Sequence, residues 1–218
     1  MANLFPKEAN WIPVKLIVAA ACIGSTVTLG IAYYATPKYT RVGYTPTQPV
    51  SFDHTIHVQQ LGMDCRYCHF GVDQGAHSNV PSTQVCMTCH SQVKQGSNKL
   101  EPVRQSWETG EPIQWVRVHK SPDYVYFNHQ IHVNSGISCV ECHGQVNQME
   151  EVSHAKSHSM GFCLECHREP EKFIRPLDKV YDMEWQAAHE GISQEEMGAA
   201  LVADWKINPP ENCAGCHR

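Results

Sequence analysis

Five copies of Cys-X-X-Cys-His constrain this chain more than any other feature. They are Cys65/Cys68/His69, Cys86/Cys89/His90, Cys139/Cys142/His143, Cys163/Cys166/His167 and Cys213/Cys216/His217. Together they take ten of the eleven Cys and five of the fourteen His, all after residue 64. Spread over residues 51–218, that is about 34 residues per motif, too few to build a hydrophobic core around each. Whatever the motifs hold must therefore serve as core itself.

The spacing names the chemistry. Two thiols three residues apart can add across the vinyl groups of a haem, and the adjacent His is placed to become the proximal iron ligand. A Cys-X-X-Cys pair alone could be half a zinc site, a redox dithiol or a disulfide. A zinc ribbon uses such pairs two at a time, which leaves a fifth pair and five adjacent His unexplained. The reading is five covalently bound haem c groups, tethered by the ten Cys and ligated by His69, His90, His143, His167 and His217.

Nine His remain for the opposite faces of the irons. His54/His57 and His129/His132 are spaced i, i+3, so each pair shares one helix face and can serve two neighbouring haems. His119, in WVRVHKSPDY, and Met160, three residues before Cys163, are further candidates, since Met can replace His distally. His77, His154, His158, His189 and Met149 stay open, with a solvated surface His or a packing Met as the ordinary alternative. Filled sixth positions leave no open iron for a small substrate. Arg66, Arg104, Arg117 and Arg168 lie near the motifs and could pair with haem propionates.

Composition removes other classes. The net charge is −5, with 18% charged residues and no basic run, which argues against nucleic acid. No GxGxxG, phosphate loop or HExxH pattern occurs.

Residues 16–35, LIVAAACIGSTVTLGIAYYA, carry no charge and match the ~30 Å hydrocarbon core at ~1.5 Å per residue. Trp11 on one side and Tyr33, Tyr34 and Tyr39 on the other suit the interfaces. The stretch exceeds a signal-peptide core and offers only Gly30-Ile31-Ala32 as a poor cleavage site, so it is expected to be a retained transmembrane anchor. Residues 36–50 carry three Pro and read as an extended linker.

The remainder is internally duplicated. Phe52-Asp53-His54-Thr55-Ile56-His57-Val58 returns as Phe127-Asn128-His129-Gln130-Ile131-His132-Val133, each copy followed by two Cys-X-X-Cys-His motifs, and Gly62 aligns with Gly136. The repeats are 52–90 and 127–167. Ser193, with Glu196 three residues on, marks a helix whose Met197, Leu201 and Trp205 share one face. Strand-like alternation is confined to Gln114–Val118 and Tyr124–Phe127. The expected fold is a multihaem cytochrome c, mostly short α-helices and loops around stacked haems with little β structure, plus one N-terminal transmembrane helix.

The FxHxxH…CxxCH…CxxCH units resemble class III multihaem cytochromes of the c3 and c7 kind. The whole arrangement, including QPVSFDHTIHVQQLGMDCRYCH, CMTCH, CVECHG, MGFCLECHR and the terminal CAGCHR, is similar to the membrane-anchored pentahaem cytochrome c subunit of alternative complex III. That resemblance implies a quinol-oxidising complex. Its partners would be a large iron–sulphur subunit related to molybdopterin oxidoreductases, polytopic quinol-binding subunits and a monohaem cytochrome c. It implies His54, His57, His119, His129, His132 and Met160 as distal ligands. Haem attachment outside the cytoplasmic membrane would place 51–218 in the periplasm and 1–15 in the cytoplasm. The expected role is electron transfer rather than catalysis by this chain alone; the alternative is a self-sufficient membrane-anchored quinol dehydrogenase feeding a periplasmic reductase.

Overall fold

The computed structural model describes residues 6–35 and 40–217. Residues 1–5 of the N-terminal segment, the first four linker residues including Tyr39, and Arg218 lie outside them. The chain divides into two compact units, Met1–Arg41 and Val42–Arg218.

The first unit is one helical run. Helix α1, Ile12–Tyr34, starts with Pro13 in its first turn, where the missing N–H costs nothing. Its apolar side chains all face outward, among them Leu16, Ile17, Ile23 and Leu29. Ser25 and Thr26 donate their hydroxyls to the carbonyls of Ala21 and Cys22 four residues back, so no polar donor is left over for lipid to satisfy. Among the described residues Lys7–Ala35 is the helix long and apolar enough to cross a membrane.

The second unit is built of short helices joined by turns. Among its described residues no β-ladder forms; pairing is confined to the isolated antiparallel bridges Val125↔His217 and Ile137↔Ile174. The alternation at Gln114–Val118 therefore does not mark a strand. In place of a neighbouring strand, the Gln48 side chain brackets Val116, donating to its carbonyl at 2.8 Å and accepting from its N–H at 2.9 Å. The segment before it is also pinned. Gly43 donates to the His154 carbonyl and His154 to the Tyr44 carbonyl, both at 2.9 Å, and Val50 is buried.

Helix α8, Gln194–Trp205, begins at Ser193, whose Oγ accepts from the Glu196 N–H at 3.2 Å. Met197, Leu201 and Trp205 are half-buried along it. Its closest approach is at Gly198, where an added Cβ would lie 1.8 Å from the Glu171 carbonyl oxygen. Gln194 holds the same segment by donating to the carbonyls of Glu171 and Ile174. The buried apolar residues, such as Val72, Val133, Val180 and Ile174, are small and scattered. Val72, Val133 and Val180 make one cluster between the two repeats, with Tyr181 against it. So thin a core cannot hold this many residues together unaided.

Candidate haem sites

Each motif sits on a helix, and a polar residue precedes it. The helices are α2 Cys65–Cys68, α3 Thr83–His90, α6 Cys139–His143, α7 Met160–Arg168 and α9 Cys213–Cys216. Asp64, Ser159 and Asn212 cap theirs by accepting a backbone N–H two or three residues on. Helical spacing sets the two thiols one turn apart on one face, with the His four residues after the first Cys on that same face. All ten thiols are free. Burial pushes Cys139 and Cys166 up to about 11 and Cys142 up to about 12. Redox dithiols and metal-bound thiolates need the opposite shift. Among the described residues no group of three or more His, Cys, Asp or Glu converges as a cage for a bare metal ion.

The imidazoles are set as ligands in their tautomer. Nδ1 of His69, His90 and His167 meets the carbonyls of Asn79, Val93 and Pro210 at 2.8, 3.0 and 2.7 Å. Nδ1 of His57, His129 and His132 meets those of Asp53, Ala76 and Asn128 at 2.8, 2.9 and 2.7 Å. A carbonyl can only accept, so each Nδ1 carries the proton and each Nε2 keeps its lone pair for a metal. Burial, first among the causes, lowers His54 to about 4 and His143 to about 3, and also lowers His129 and His132, so these rings are neutral.

The two FxHxxH copies fold alike. His54 opens the turn Thr55–Gln60 and His129 opens α5, His129–Asn134. Phe52 meets His54 edge-on at 4.8 Å and stacks on His57 at 4.4 Å; Phe127 meets His129 edge-on and stacks on His132, both at 4.7 Å. The phenyl ring thus sets the splay of the two imidazoles in each copy.

Distances between rings then pair them. Two imidazoles bound through Nε2 to opposite faces of one metal at ~2.0–2.1 Å, each ring centre roughly 1.1 Å behind its nitrogen, have centroids ~6.3 Å apart. His57 and His90 are 6.2 Å apart, His132 and His167 6.3 Å, and His129 and His143 6.4 Å with planes 4° from parallel. His54 is buried with no partner for Nδ1 and senses the charge of His69. The donor set fits haem c, with a thiol pair, a proximal imidazole and, for three motifs, a second imidazole at trans spacing.

The other candidates stand differently. His119 lies edge-on to His143 at 4.3 Å, closer than a trans pair, with His154 at 5.7 Å and His158 at 6.0 Å. His158 is 6.1 Å from His143, but its Nε2 is hydrogen-bonded to the Cys142 carbonyl at 2.9 Å. His154 is fully buried. His77 and His189 are exposed, and Nδ1 of His189 accepts the Gln186 N–H. The Met149 sulfur accepts from the Ser153 hydroxyl at 3.7 Å. Met160 starts α7, exposed, one turn ahead of Cys163.

Arg66, Arg104 and Arg168 pair with Asp64, Glu101 and Glu211, and Arg117 donates to the His119 carbonyl. The buried arginine is one that sequence reasoning passed over. Arg175, 6% exposed, donates to Glu141 of the third motif at 2.8 Å and to the Asp182 carbonyl at 3.1 Å, and its guanidinium lies over the Trp185 ring. The signal available was Glu141, an acid between two Cys that burial would force to find a cation.

The family model for cytochrome c7 and related cytochrome c matches residues 50–105 and 125–218, so this chain belongs to that family of multihaem c-type cytochromes, and carries covalently bound haem c. It is also similar to the protein named menaquinone reductase, multiheme cytochrome c subunit, of Nitratidesulfovibrio vulgaris, at 34% identity over 123 residues, 56% of each chain. The chain thus spans about half the length of that relative.

Proposed function

We propose that this chain is the membrane-anchored electron-transfer subunit of a quinol-oxidising complex, the pentahaem cytochrome of alternative complex III, serving a periplasmic acceptor. One observation carries the reading: Cys-X-X-Cys-His imidazoles face second imidazoles at trans spacing, with tautomers that leave Nε2 for iron. Haem, when bound, supplies a one-electron iron couple. The chain's residues do the rest. The ten motif Cys tether five haems, and His69, His90, His143, His167 and His217 are proximal. His54, His57, His129 and His132 close the sixth positions opposite His69, His90, His143 and His167, so those sites exchange electrons and exclude substrate.

His119 and Met160 are the candidates opposite His217. Met160 is favoured, because its helix carries Cys163, which senses the charge of Cys216, whereas His119 is taken up against His143. Residues 16–35 anchor the chain with 1–15 inside, and 51–218 lie in the periplasm with repeats 52–90 and 127–167, following the linker 36–50. The partners are the large iron–sulphur subunit, the polytopic quinol-binding subunits and the monohaem cytochrome c.

A second reading reverses the direction, with electrons passed from a periplasmic donor towards menaquinone; the relative's name favours it. Gentle extraction, purification by this chain and a quinol-dependent haem reduction assay separate the cases. The proposal expects an iron–sulphur subunit and polytopic subunits to co-purify and quinol to reduce the haems. Recovery alone with direct quinol reduction would make it a self-sufficient dehydrogenase. Haems oxidised by a menaquinone analogue but not reduced by quinol would support the reverse direction.

A further inference from the structure

The contacts between motif helices run in a row that differs from their order in the chain. Number the Cys-X-X-Cys-His sites 1 to 5 from the N-terminus. Sites 1 and 2 meet where Tyr67 Oη of α2 and Thr88 Oγ1 of α3 hydrogen-bond at 2.9 Å. The turn Thr55–Gln60 spans the same pair, its His57 facing His90.

Sites 1 and 3 share a loop. Cys65 Sγ lies 4.0 Å from the Tyr181 carbonyl, while Ser138, which precedes Cys139, donates to the Val180 carbonyl at 2.6 Å. The chain just after site 1 also seats α5. The N–H groups of His129 and Gln130 donate to the carbonyls of Ala76 and Gly75, and Asn134 donates to that of Asp73. Sites 3 and 4 are joined by α5, whose His129 faces His143 and whose His132 faces His167. Sites 4 and 5 meet where His167 donates to the Pro210 carbonyl at 2.7 Å and Arg168 pairs with Glu211, just before Cys213. The thiols repeat the pattern, since Cys68 senses Cys86 and Cys89, Cys139 senses Cys65, Cys142 senses Cys163 and Cys166, and Cys163 senses Cys216.

We propose that the five haem sites form one unbranched row in the order 2–1–3–4–5, so that the Cys86/Cys89 and Cys213/Cys216 sites are the two ports at which electrons enter and leave. The two repeats thus join through their first sites, the first repeat running backwards along the row. One electron enters at one end for each that leaves at the other, from a quinol-linked donor to a one-electron periplasmic acceptor, and no bond is made or broken. The inference rests on the five-haem relay reading above.

The test uses the full chain with its haems in detergent and two variants, His57→Met at site 2 and His132→Met at site 4. Met in place of His raises the potential of one haem, which can then be reduced first while the others stay ferric. Losing its unpaired spin shifts the paramagnetic NMR resonances of its neighbours, each assigned through its own thioether Cys. The row expects His57→Met to shift site 1 alone and His132→Met to shift sites 3 and 5. Shifts at two sites from His57→Met, or at site 3, 4 or 5, would overturn the order. Should a variant lose its haem, haem-to-haem NOEs in the unmodified protein read the same neighbours. Fewer than five haems on that protein would overturn the relay reading, whereas five haems with site 2 flanked by two others would overturn the order alone.

Discussion

Replacing Arg175 by Met should destabilise the protein by about 3 kcal/mol. The Arg175–Glu141 contact is 2.8 Å, with side chains 8% and 27% exposed. Removing one partner of a fully buried pair costs about 3–5 kcal/mol. Glu141 keeps some water, which lowers that to about 2 kcal/mol, and losing the bond to the Asp182 carbonyl adds about 1 kcal/mol. Burial already holds the Glu141 carboxyl above its usual range, outweighing the guanidinium. Without Arg175 it rises further. A carboxyl whose folded pKa is raised contributes stability below its unfolded pKa, lost as pH rises through the folded one, so the deficit should shrink from pH 8 towards pH 5. Urea unfolding of the detergent-solubilised holoprotein, followed by far-UV circular dichroism and the Soret band, measures it. Adding Glu141→Gln should recover about 1–2 kcal/mol by removing the stranded charge. A loss under 1 kcal/mol, or one that grows at low pH, would refute the reasoning.

Three further outcomes are expected. Gly136→Ala should fail to accumulate as folded protein, because φ is +82° and the new Cβ would stand 2.5 Å from the Arg175 carbonyl oxygen; expression with haem staining checks it. Ser193→Ala should cost about 1 kcal/mol by leaving the Glu196 N–H uncapped, read by the same urea titration. His132→Ala should leave the haem at Cys163/Cys166 five-coordinate, giving one high-spin signal in electron paramagnetic resonance, while His189→Ala leaves the spectrum unchanged because that ring caps a turn.

Local pattern made the motif helices legible. Thiol spacing, the following His and a preceding cap such as Asp64, Ser159 or Asn212 all lie within a few residues, and so does the Ser193 cap. The FxHxxH duplication was legible for the same reason, down to Phe52 and Phe127 gripping their two imidazoles alike. What sequence could not show depends on distant partners. Gly198 is required by the Glu171 backbone, Arg175 by Glu141 and Trp185, and the extended run at Val116 by a glutamine 68 positions earlier. The alternation at Gln114–Val118 misled because half-exposed extended chain has a period of two whether or not a strand lies beside it. His119 shows the limit in the site itself. Its distance from the motifs in sequence gives no hint that it packs edge-on against His143.

The central claim is that all five motifs carry haem and that the axial positions are closed. Intact mass together with electron paramagnetic resonance on the purified full chain tests it most directly. The account predicts a mass five covalent haems above the polypeptide and wholly low-spin ferric signals. A smaller increment, bound zinc in place of haem, or a high-spin signal in the unmodified protein would contradict it.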